Sequence, residues 1–230
     1  MDITTDKRGG SFYDNFIEGI DIDNVMEFRD LGICLDPKLR FSLHIAKMVA
    51  TAKQRCFLLF RAFITKDPKA LIKGFKSYIL PILNYCSPVW SPCLVGDIIL
   101  VESVQRNFTK KLPGFQNMTY KNRLEALNLP TLELRRLHTD LVLCFKILNG
   151  NVASPPENFG LLLSARQSRG HSKKLIVNHM RVEVRKNFFG CRICEPWNSL
   201  PAEVVNANSV YSFKRLLSNC NLNKFLVFNN

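Results

Sequence analysis

The stretch FKSYILPILNYCSPVWSP, residues 75–92, combines a helical pattern of apolar residues with an internal proline. Spacings of three, four and seven place its apolar residues on one helical face. These residues are Phe75, Tyr78, Ile79, Ile82 and Leu83. Pro81 lies inside the pattern, where it removes a backbone N–H donor and should kink or end the helix. Two further prolines bracket Val89 and Trp90. The stretch therefore predicts a bent helix whose end is fixed to a hydrophobic core by Tyr85, Val89 and Trp90.

Helical periodicity continues on both sides of this stretch. The predicted helices of the first 150 residues begin near Ser42, Pro68, Gly96, Tyr120 and Thr131. Ser42 and Thr131 are expected to be N-caps, and Gly150 suits the left-handed position after the last of these helices. Two short helices are predicted further on, around residues 191–200 and 209–217.

Short extended segments are predicted near both ends of the chain. Residues 15–36 alternate in polarity around a turn at Glu18-Gly19, and residues 28–35 add a third extended segment. Residues 175–177 and 181–184 are further β-like runs. We therefore expect a mainly α fold, with a small N-terminal β-hairpin, a helical bundle and a smaller α+β C-terminal part.

The chain is strongly basic, but its charge is unevenly distributed. It has 230 residues, 47% of them hydrophobic, which is enough for the core of one domain or of two small ones. Its net charge is +13. Residues 1–36 contain nine acids and three bases, so the remainder contains 29 bases and only 10 acids. A body of this charge favours nucleic acid as a partner over an anionic membrane. A solvated surface that happens to be basic is the alternative.

Two stretches contain many bases and almost no acids. Residues 38–76 contain ten bases and the single acid Asp67, and residues 105–123 contain five bases and no acid. On amphipathic helices these bases should point outward and neutralise phosphates without reading base sequence. Residues 164–186 add seven bases against one acid. The predicted nucleic-acid contacts are Lys47, Arg55, Arg61, Arg106, Lys110 and Lys111, with a second patch at Arg169, Lys173 and Lys174.

The residues by themselves indicate no catalytic centre. The sequence has no glycine-rich phosphate loop, no H-E-x-x-H and no G-x-S-x-G. Cys191 and Cys194 form a C-x-x-C, which supplies two of the four ligands of a structural zinc. No second pair follows, and core thiols one helical turn apart are the commoner interpretation. Asp21 and Asp23 could hold a metal from one side of a strand, although exposed acids in a turn are commoner.

The cysteines and the first residues favour an intracellular protein. The eight cysteines are scattered, several on apolar faces, which is typical of free thiols in a reducing compartment. The start, MDITTDKRGG, lacks the layout of a secretory signal. No apolar run of about 18 residues occurs, so no transmembrane helix is expected. We expect a protein of the nucleus or cytoplasm that is neither secreted nor bound to a membrane.

Six phrases in a fixed order resemble the C-terminal part of reverse transcriptases from non-LTR retrotransposons of the Jockey/CR1-like LINE group. The resemblance runs from about residue 15 to near residue 220, and WNSLP alone would be modest support. The phrases are FRDLGICLD (28–36), SYILPILNYCSPVWSP (77–92), ESVQRNFTKKLPGF (102–115), RLEALNLPTLELRRLHTDLVLCFKILNG (123–150), SRGHSKKL (168–175) and EPWNSLPAEVVNANSVYSFKRLL (195–217).

The resemblance implies a division of the chain into palm-edge, thumb and post-thumb parts. Residues 1–36 would be a palm-edge β-hairpin, residues 37–150 a thumb-like helical domain, residues 151–158 a linker and residues 159–230 a basic post-thumb region. A thumb lies along the template–primer duplex, which is held through its shape and backbone. The residues expected to hold these parts in place are Pro81, Tyr85, Trp90 and Trp197.

The chain departs from the family where the chemistry is done. The family's catalytic aspartates lie in the palm, two of them in an F/Y-x-D-D hairpin, and this motif is absent. No cofactor is expected in this chain, because Mg²⁺ would belong to the missing palm. Our hypothesis is a truncated reverse transcriptase that binds RNA, DNA or an RNA–DNA hybrid without sequence preference and does not polymerise alone. The missing palm and fingers of the same polyprotein are further partners. A helical protein-interaction module and a non-functional retroelement relic are the alternatives.

Overall fold

The computed structural model describes residues 15–17, 20–22, 25–164, 170–177 and 180–227, with side chains from residue 25 onward except that of residue 183. The strands are β1 (Asn15–Ile17), β2 (Ile20–Ile22), β3 (Phe28–Asp30) and β4 (Ile33–Leu35). The helices of the first 150 residues are α1 (Ser42–Ala62), α2 (Pro68–Gly74), α3 (Leu80–Asn84), α4 (Ser87–Trp90), α5 (Val95–Lys110), α6 (Tyr120–Leu127) and α7 (Leu132–Leu148). Short helices follow: α8 (Glu183–Lys186), α9 (Phe189–Arg192), α10 (Cys194–Asn198), α11 (Ala202–Val205) and α12 (Val210–Leu217). The mainly helical fold is confirmed. Within these ranges no helix is long and apolar enough to cross a membrane.

The N-terminal strands form two antiparallel hairpins, β1–β2 and β3–β4. The small N-terminal hairpin is therefore confirmed, although its expected turn at residues 18–19 lies outside the described residues. The single extended segment expected over residues 28–35 is wrong. Leu31 and Gly32 both have positive φ angles, 46° and 88°, and such a two-residue turn matches the twist of the strands it joins. Phe28 consequently pairs with Leu35.

Helix α1 begins where the sequence predicted, but its cap differs. Ser42 is the first helical residue rather than the N-cap, and its hydroxyl donates to Asp97 Oδ2 at 2.7 Å. The preceding residue, Phe41, is left-handed with φ of 61°. The Asp36 carboxylate accepts backbone N–H bonds from Lys38, Arg40 and Phe41 and so orders the turn that enters the helix.

Pro81 is accommodated by a widened helical turn. Between α2 and α3, residues Phe75–Ile79 form a π-helical turn, in which the N–H of Leu80 bonds the carbonyl of Phe75 five residues earlier. Pro81 then falls in the first turn of α3, where no N–H is required of it. The chain therefore stays helical from residue 68 to residue 84.

Trp90 is the buried anchor of this stretch. Its side chain is fully buried, its Nε1 donates to the Tyr85 carbonyl at 2.6 Å, and its ring lies 5.7 Å from that of His44. The expectation that Tyr85 and Val89 are buried beside it is wrong, because they are 54% and 55% exposed. Tyr85 instead donates its hydroxyl to the Leu31 carbonyl at 2.9 Å, so it holds the turn of the β3–β4 hairpin.

The buried apolar residues form two clusters that meet in α7. The first cluster runs from Ile33 to Leu132, the first residue of α7. The second begins at Leu141, in the C-terminal half of the same helix, and extends to Leu222. The change from one cluster to the other thus occurs inside α7, before the predicted linker at residues 151–158.

The predicted C-terminal strands are not formed in the part of the chain that is described. Residues 181–184 run into α8, and residues 175–177 make one isolated bridge, Leu163 with Leu175. The Asn198 side chain explains this, because its Oδ1 accepts from the Leu175 N–H and its Nδ2 donates to the Leu175 carbonyl, both at 2.8 Å. A side chain thus satisfies the backbone groups that a neighbouring strand would otherwise bond. Trp197, which precedes Asn198, is fully buried, and its Nε1 donates to the Lys173 carbonyl.

A single guanidinium joins the two clusters. Arg192, in α9, donates from Nε to Asp140 Oδ2 at 3.0 Å, from Nη1 to the Asn187 carbonyl at 2.8 Å, and from Nη2 to the Pro88 carbonyl at 2.7 Å. Burial raises the pKa of Asp140, and the Arg192 charge opposes that rise. This three-way contact connects α4, α7 and α9.

Replacing Trp90 by alanine should lower the free energy of unfolding by about 3–5 kcal/mol, because a fully buried side chain is removed and a cavity remains. Chemical denaturation monitored by circular dichroism measures this. Val89→Ala is the matched control on the same short helix and should change stability by less than about 0.5 kcal/mol, since Val89 is exposed. Similar losses in both variants would contradict the assignment of Trp90 as the anchor.

Asp140 and Arg192 should be energetically coupled. In a double-mutant cycle with alanine, each single variant should lose unfolding free energy. We expect the sum of these two losses to exceed the loss in the double variant by about 1–3 kcal/mol, because each single change leaves a buried charge without its partner. The exposed ion pair Glu27–Lys47 is the control and should couple much more weakly, because solvent screens its charges. Additive effects at Asp140 and Arg192 would show that the pair does not hold the clusters together.

Candidate nucleic-acid interface

All ten bases between residues 38 and 76 are exposed to solvent. The single acid of this stretch, Asp67, is occupied as the N-cap of α2, where it accepts from the N–H groups of Lys69 and Ala70, both at 3.2 Å. The surface of this stretch is therefore positive almost throughout. The exposed bases are Lys38, Arg40, Lys47, Lys53, Arg55, Arg61, Lys66, Lys69, Lys73 and Lys76.

Packing between α1 and α5 turns the basic residues outward. The apolar sides of the two helices meet in the first cluster, where the Phe60 and Phe108 rings lie 5.0 Å apart. The helices run in the same direction, because Ser42 bonds Asp97 at their first turns and Lys111 lies near Cys56 towards their ends. Burial raises the pKa of the Cys56 thiol to about 11, and the Lys111 charge partly offsets this.

Arg55, Lys110 and Lys111 are the predicted contacts that the structure leaves most available. All three are exposed, and none has an ion-pair partner within the described ranges. They lie on the outer sides of α1 and α5, close to the C-terminal ends of the two helices. We call Lys53, Arg55, Lys110 and Lys111 the α1/α5 basic face, although Lys53 and Arg55, two positions apart, lie on opposite flanks of the buried stripe of α1.

Two other predicted contacts on α1 already have neighbours. The Arg61 guanidinium lies 5.7 Å from the centre of the Phe57 ring, and both side chains are exposed. Lys47 is exposed and ion-paired with Glu27, and this hydrogen bond raises the pKa of Lys47 and lowers that of Glu27. Lys47 therefore contributes less free charge to the surface than Arg61 does.

The expectation that every base of residues 105–123 points outward is wrong. Arg123 is only 4% exposed, and its guanidinium donates to Thr109 Oγ1 at 3.1 Å and to the Met118 carbonyl at 2.6 Å. Arg106 is half-buried, with its guanidinium 4.9 Å from the centre of the Tyr120 ring. The Arg123 guanidinium lies 5.5 Å from the same ring, so both arginines hold the loop before α6 against α5.

The predicted second patch is engaged in holding the chain together. Lys173 donates to Asn149 Oδ1 at 2.6 Å, and Lys174 donates to the Asn198 carbonyl. Both lysines are half-buried. Arg169 lies outside the described residues. These two lysines link the loop around residue 173 to the end of α7 and to α10.

The C-x-x-C residues lie in two short helices of the second cluster. Cys194 is buried, its thiol donates to the Gly190 carbonyl at 2.9 Å, and burial raises its pKa to about 11. Cys191 is half-buried in α9. In the described part of the chain, no group of three or more His, Cys, Asp or Glu side chains is arranged to hold a metal. The side chains of Asp21 and Asp23 lie outside it.

The sequence reading missed a buried charged network on α7 and α5. Arg136 is 3% exposed and is balanced by the charges of Glu102, Glu133 and Asp140. Glu102 is 1% exposed and accepts from the Leu132 N–H at 2.9 Å and from the Tyr120 hydroxyl, while burial raises its pKa. The signal was present, since Arg136 and Asp140 are spaced by four on the same helical stripe as Leu132.

Comparison with known proteins identifies one weak relative. The chain is 28% identical over 129 residues to the uncharacterized protein B0403.1 of Caenorhabditis elegans, and the match covers 55% of this chain. It spans 65% of the length of that protein. No family model and no solved structure matches the chain. Membership of the reverse transcriptases therefore stays a prediction.

Arg123 and Lys121 should differ sharply although both are bases of α6. Arg123→Ala should lower the free energy of unfolding by about 2–4 kcal/mol, because the Thr109 hydroxyl and two buried carbonyls lose a charged donor. Lys121→Ala should change it by less than about 0.5 kcal/mol, because Lys121 is exposed. Denaturant titration measures both, and equal effects would contradict the structural role of Arg123.

Proposed function

We propose that this protein binds the backbone of duplex or structured nucleic acid, without sequence preference, through the α1/α5 basic face. The observation that carries the proposal is the exposure of all ten bases between residues 38 and 76, with the one acid among them occupied in a helix cap. Lysines and arginines on a rigid helical surface neutralise phosphates and release counterions, which supplies affinity independent of base sequence.

The resemblance to non-LTR reverse transcriptases supports the same role. In that family a helical thumb holds the template–primer duplex, and an RNA–DNA hybrid of A-like form is held through its shape and phosphates. The chain contains no F/Y-x-D-D motif, so we propose that it contributes binding and not phosphoryl transfer. The palm and fingers of the same polyprotein would supply the catalytic aspartates and the Mg²⁺.

We place the protein inside the cell, in the nucleus or the cytoplasm. This location is supported by the eight cysteines, which are all free thiols, with Cys34, Cys144 and Cys194 buried. The nucleus and the cytoplasm are also the compartments in which this basic surface could contact nucleic acid.

A protein-interaction module is the second candidate, and one observation favours it. Three large apolar side chains in or just before the β3–β4 hairpin are exposed to solvent. They are Met26 (81% exposed), Phe28 (59%) and Leu31 (83%). Large apolar side chains that are exposed together mark surfaces that contact another protein. The missing palm of the same polyprotein would be such a partner.

Binding of an RNA–DNA hybrid across a salt series tests the proposal. We expect the logarithm of the association constant to fall linearly with the logarithm of the salt concentration, with a slope of about −0.7 to −0.9 for each phosphate neutralised. Fluorescence anisotropy of a labelled hybrid gives both the affinity and the slope. No binding at about 50 mM salt, or an affinity that does not change with salt, would overturn the proposal.

Charge reversal tests which surface is responsible. The variant Lys53→Glu/Arg55→Glu/Lys110→Glu/Lys111→Glu should bind the hybrid at least about tenfold more weakly and with a shallower salt slope. The control variant Lys121→Glu/Arg181→Glu/Arg215→Glu/Lys224→Glu reverses the same number of exposed charges elsewhere and should bind more tightly than the first. Equal losses would show that net charge matters and the α1/α5 basic face does not.

A further inference from the structure

A cleft of about 530 Å³ lies along α7 and contains no residue of the α1/α5 basic face. One side is a face of α7 that extends from Arg135 to Lys146. Lys214 and Leu217 of α12 form the other side, and Pro88 and Pro130 complete the lining. The remaining α7 residues in the cleft are His138, Thr139, Val142 and Leu143.

The cleft is positively charged and has no acidic lining residue. Arg135, Lys146 and Lys214 all line it, and none of these three is ion-paired with a carboxylate anywhere in the described ranges. The Arg135 charge also lowers the pKa of His138, in addition to the effect of burial, so the imidazole stays neutral at neutral pH. The cleft therefore carries three permanent positive charges at that pH.

Neighbouring arginines on α7 show that this charge is unbalanced. Arg136 is buried among Glu102, Glu133 and Asp140, which all favour its charged form. Arg135 is half-buried on the cleft side, and burial lowers its pKa without an opposing effect from any carboxylate of the described residues. A partly buried charge without a counter-ion is unfavourable, and a bound anion would supply the counter-ion.

The order of side chains along the cleft restricts the shape of that anion. Arg135 and Lys146 are eleven residues apart on one helix, so their Cα atoms are separated by about 16 Å along its axis. Between them lies a floor that His138 and Thr139 form near Arg135 and that Val142 and Leu143 form near Lys146. The ligand should therefore have negative charge at both ends and a flat or apolar middle.

We propose that this cleft binds one nucleotide of a single-stranded nucleic acid, with its base on this floor and its two flanking phosphates at Arg135 and at Lys146 with Lys214. The proposal rests on the proposed function only for the class of partner, since it uses a different surface. The cleft volume of about 530 Å³ falls in the range of small-ligand pockets. A base paired within a duplex could not reach the floor.

Two probes separate a free nucleotide from a strand. The first is thymidine carrying a phosphate on each sugar hydroxyl, and the second is an oligothymidine labelled for anisotropy, each measured with the full chain. We expect both to bind, and the oligothymidine to bind more tightly if a strand is the natural ligand. Binding that the cleft variants below lose supports the cleft, and the order of the two affinities identifies the source. Failure of both probes to bind would overturn the proposal.

Variants at the two ends of the cleft test its location. Arg135→Gln and Lys146→Gln/Lys214→Gln should each weaken binding of both probes by about tenfold or more, because a charged hydrogen bond to phosphate is lost. Thermal denaturation should show no loss of stability in Arg135→Gln, because an uncompensated charge is removed. Unchanged probe affinity in both variants would overturn the proposal.

The duplex experiment separates this proposal from the proposed function. We expect the cleft variants to bind the RNA–DNA hybrid as the unaltered protein does, and the charge-reversed α1/α5 variant to retain binding of the bisphosphate probe. If the hybrid does not bind but the probes do, the cleft is supported and the proposed function fails. An acid-rich helical peptide serves as a competitor. If it displaces the oligothymidine and binds at least tenfold more tightly than the oligothymidine does, the partner is a protein and the nucleotide assignment is overturned.

Discussion

The relative placement of the two hydrophobic clusters depends on the Arg192 guanidinium. Its planar group has donors pointing in several directions, and here they reach a carboxylate of α7, the Pro88 carbonyl in α4 and the Asn187 carbonyl. Because Asp140 is only 3% exposed, its charge needs the compensation that Arg192, and to a smaller extent Arg136, supplies. The contact thus orients the C-terminal helices against the segment that contains Trp90. Both sides of the α7 cleft belong to elements that this contact and its surrounding clusters hold in place.

Helix α7 separates balanced charge from unbalanced charge. On its inner side Arg136 and Asp140 belong to a network with Glu102 and Arg192, in which positive and negative groups alternate. Exposed bases without an ion-pair partner in the described ranges lie elsewhere, at Arg55, Lys110 and Lys111, and Arg135 lines the cleft. The Arg136–Asp140 network is therefore compensated, whereas these bases are not. This difference is the physical basis for our proposal that the protein binds a polyanion.

Much of the fold could be predicted from sequence because local signals were strong. Thr131 caps its helix as expected, α6 begins at the predicted residue, and Gly150 is left-handed with φ of 69°. The candidate site was predicted less well. Helical periodicity indicates which side of a helix is apolar, but it does not show that the loop before α6 folds over α5. That loop buries Arg123 and covers Arg106, two residues that the pattern had placed at the surface.

By itself the sequence determined the mainly helical class, the residues near which the longer helices begin and the excess of positive charge, since these follow from the spacing and composition of neighbouring residues. Only the tertiary structure decided how Pro81 is accommodated, because a π-helical turn is one of several responses to a missing donor and packing selects among them. It also decided which bases remain free. Arg135 and Arg136 are adjacent in the chain, yet one is surrounded by carboxylates and the other lines an open cleft. Their difference comes from α5, α9 and α12, which distant parts of the chain bring to opposite sides of α7.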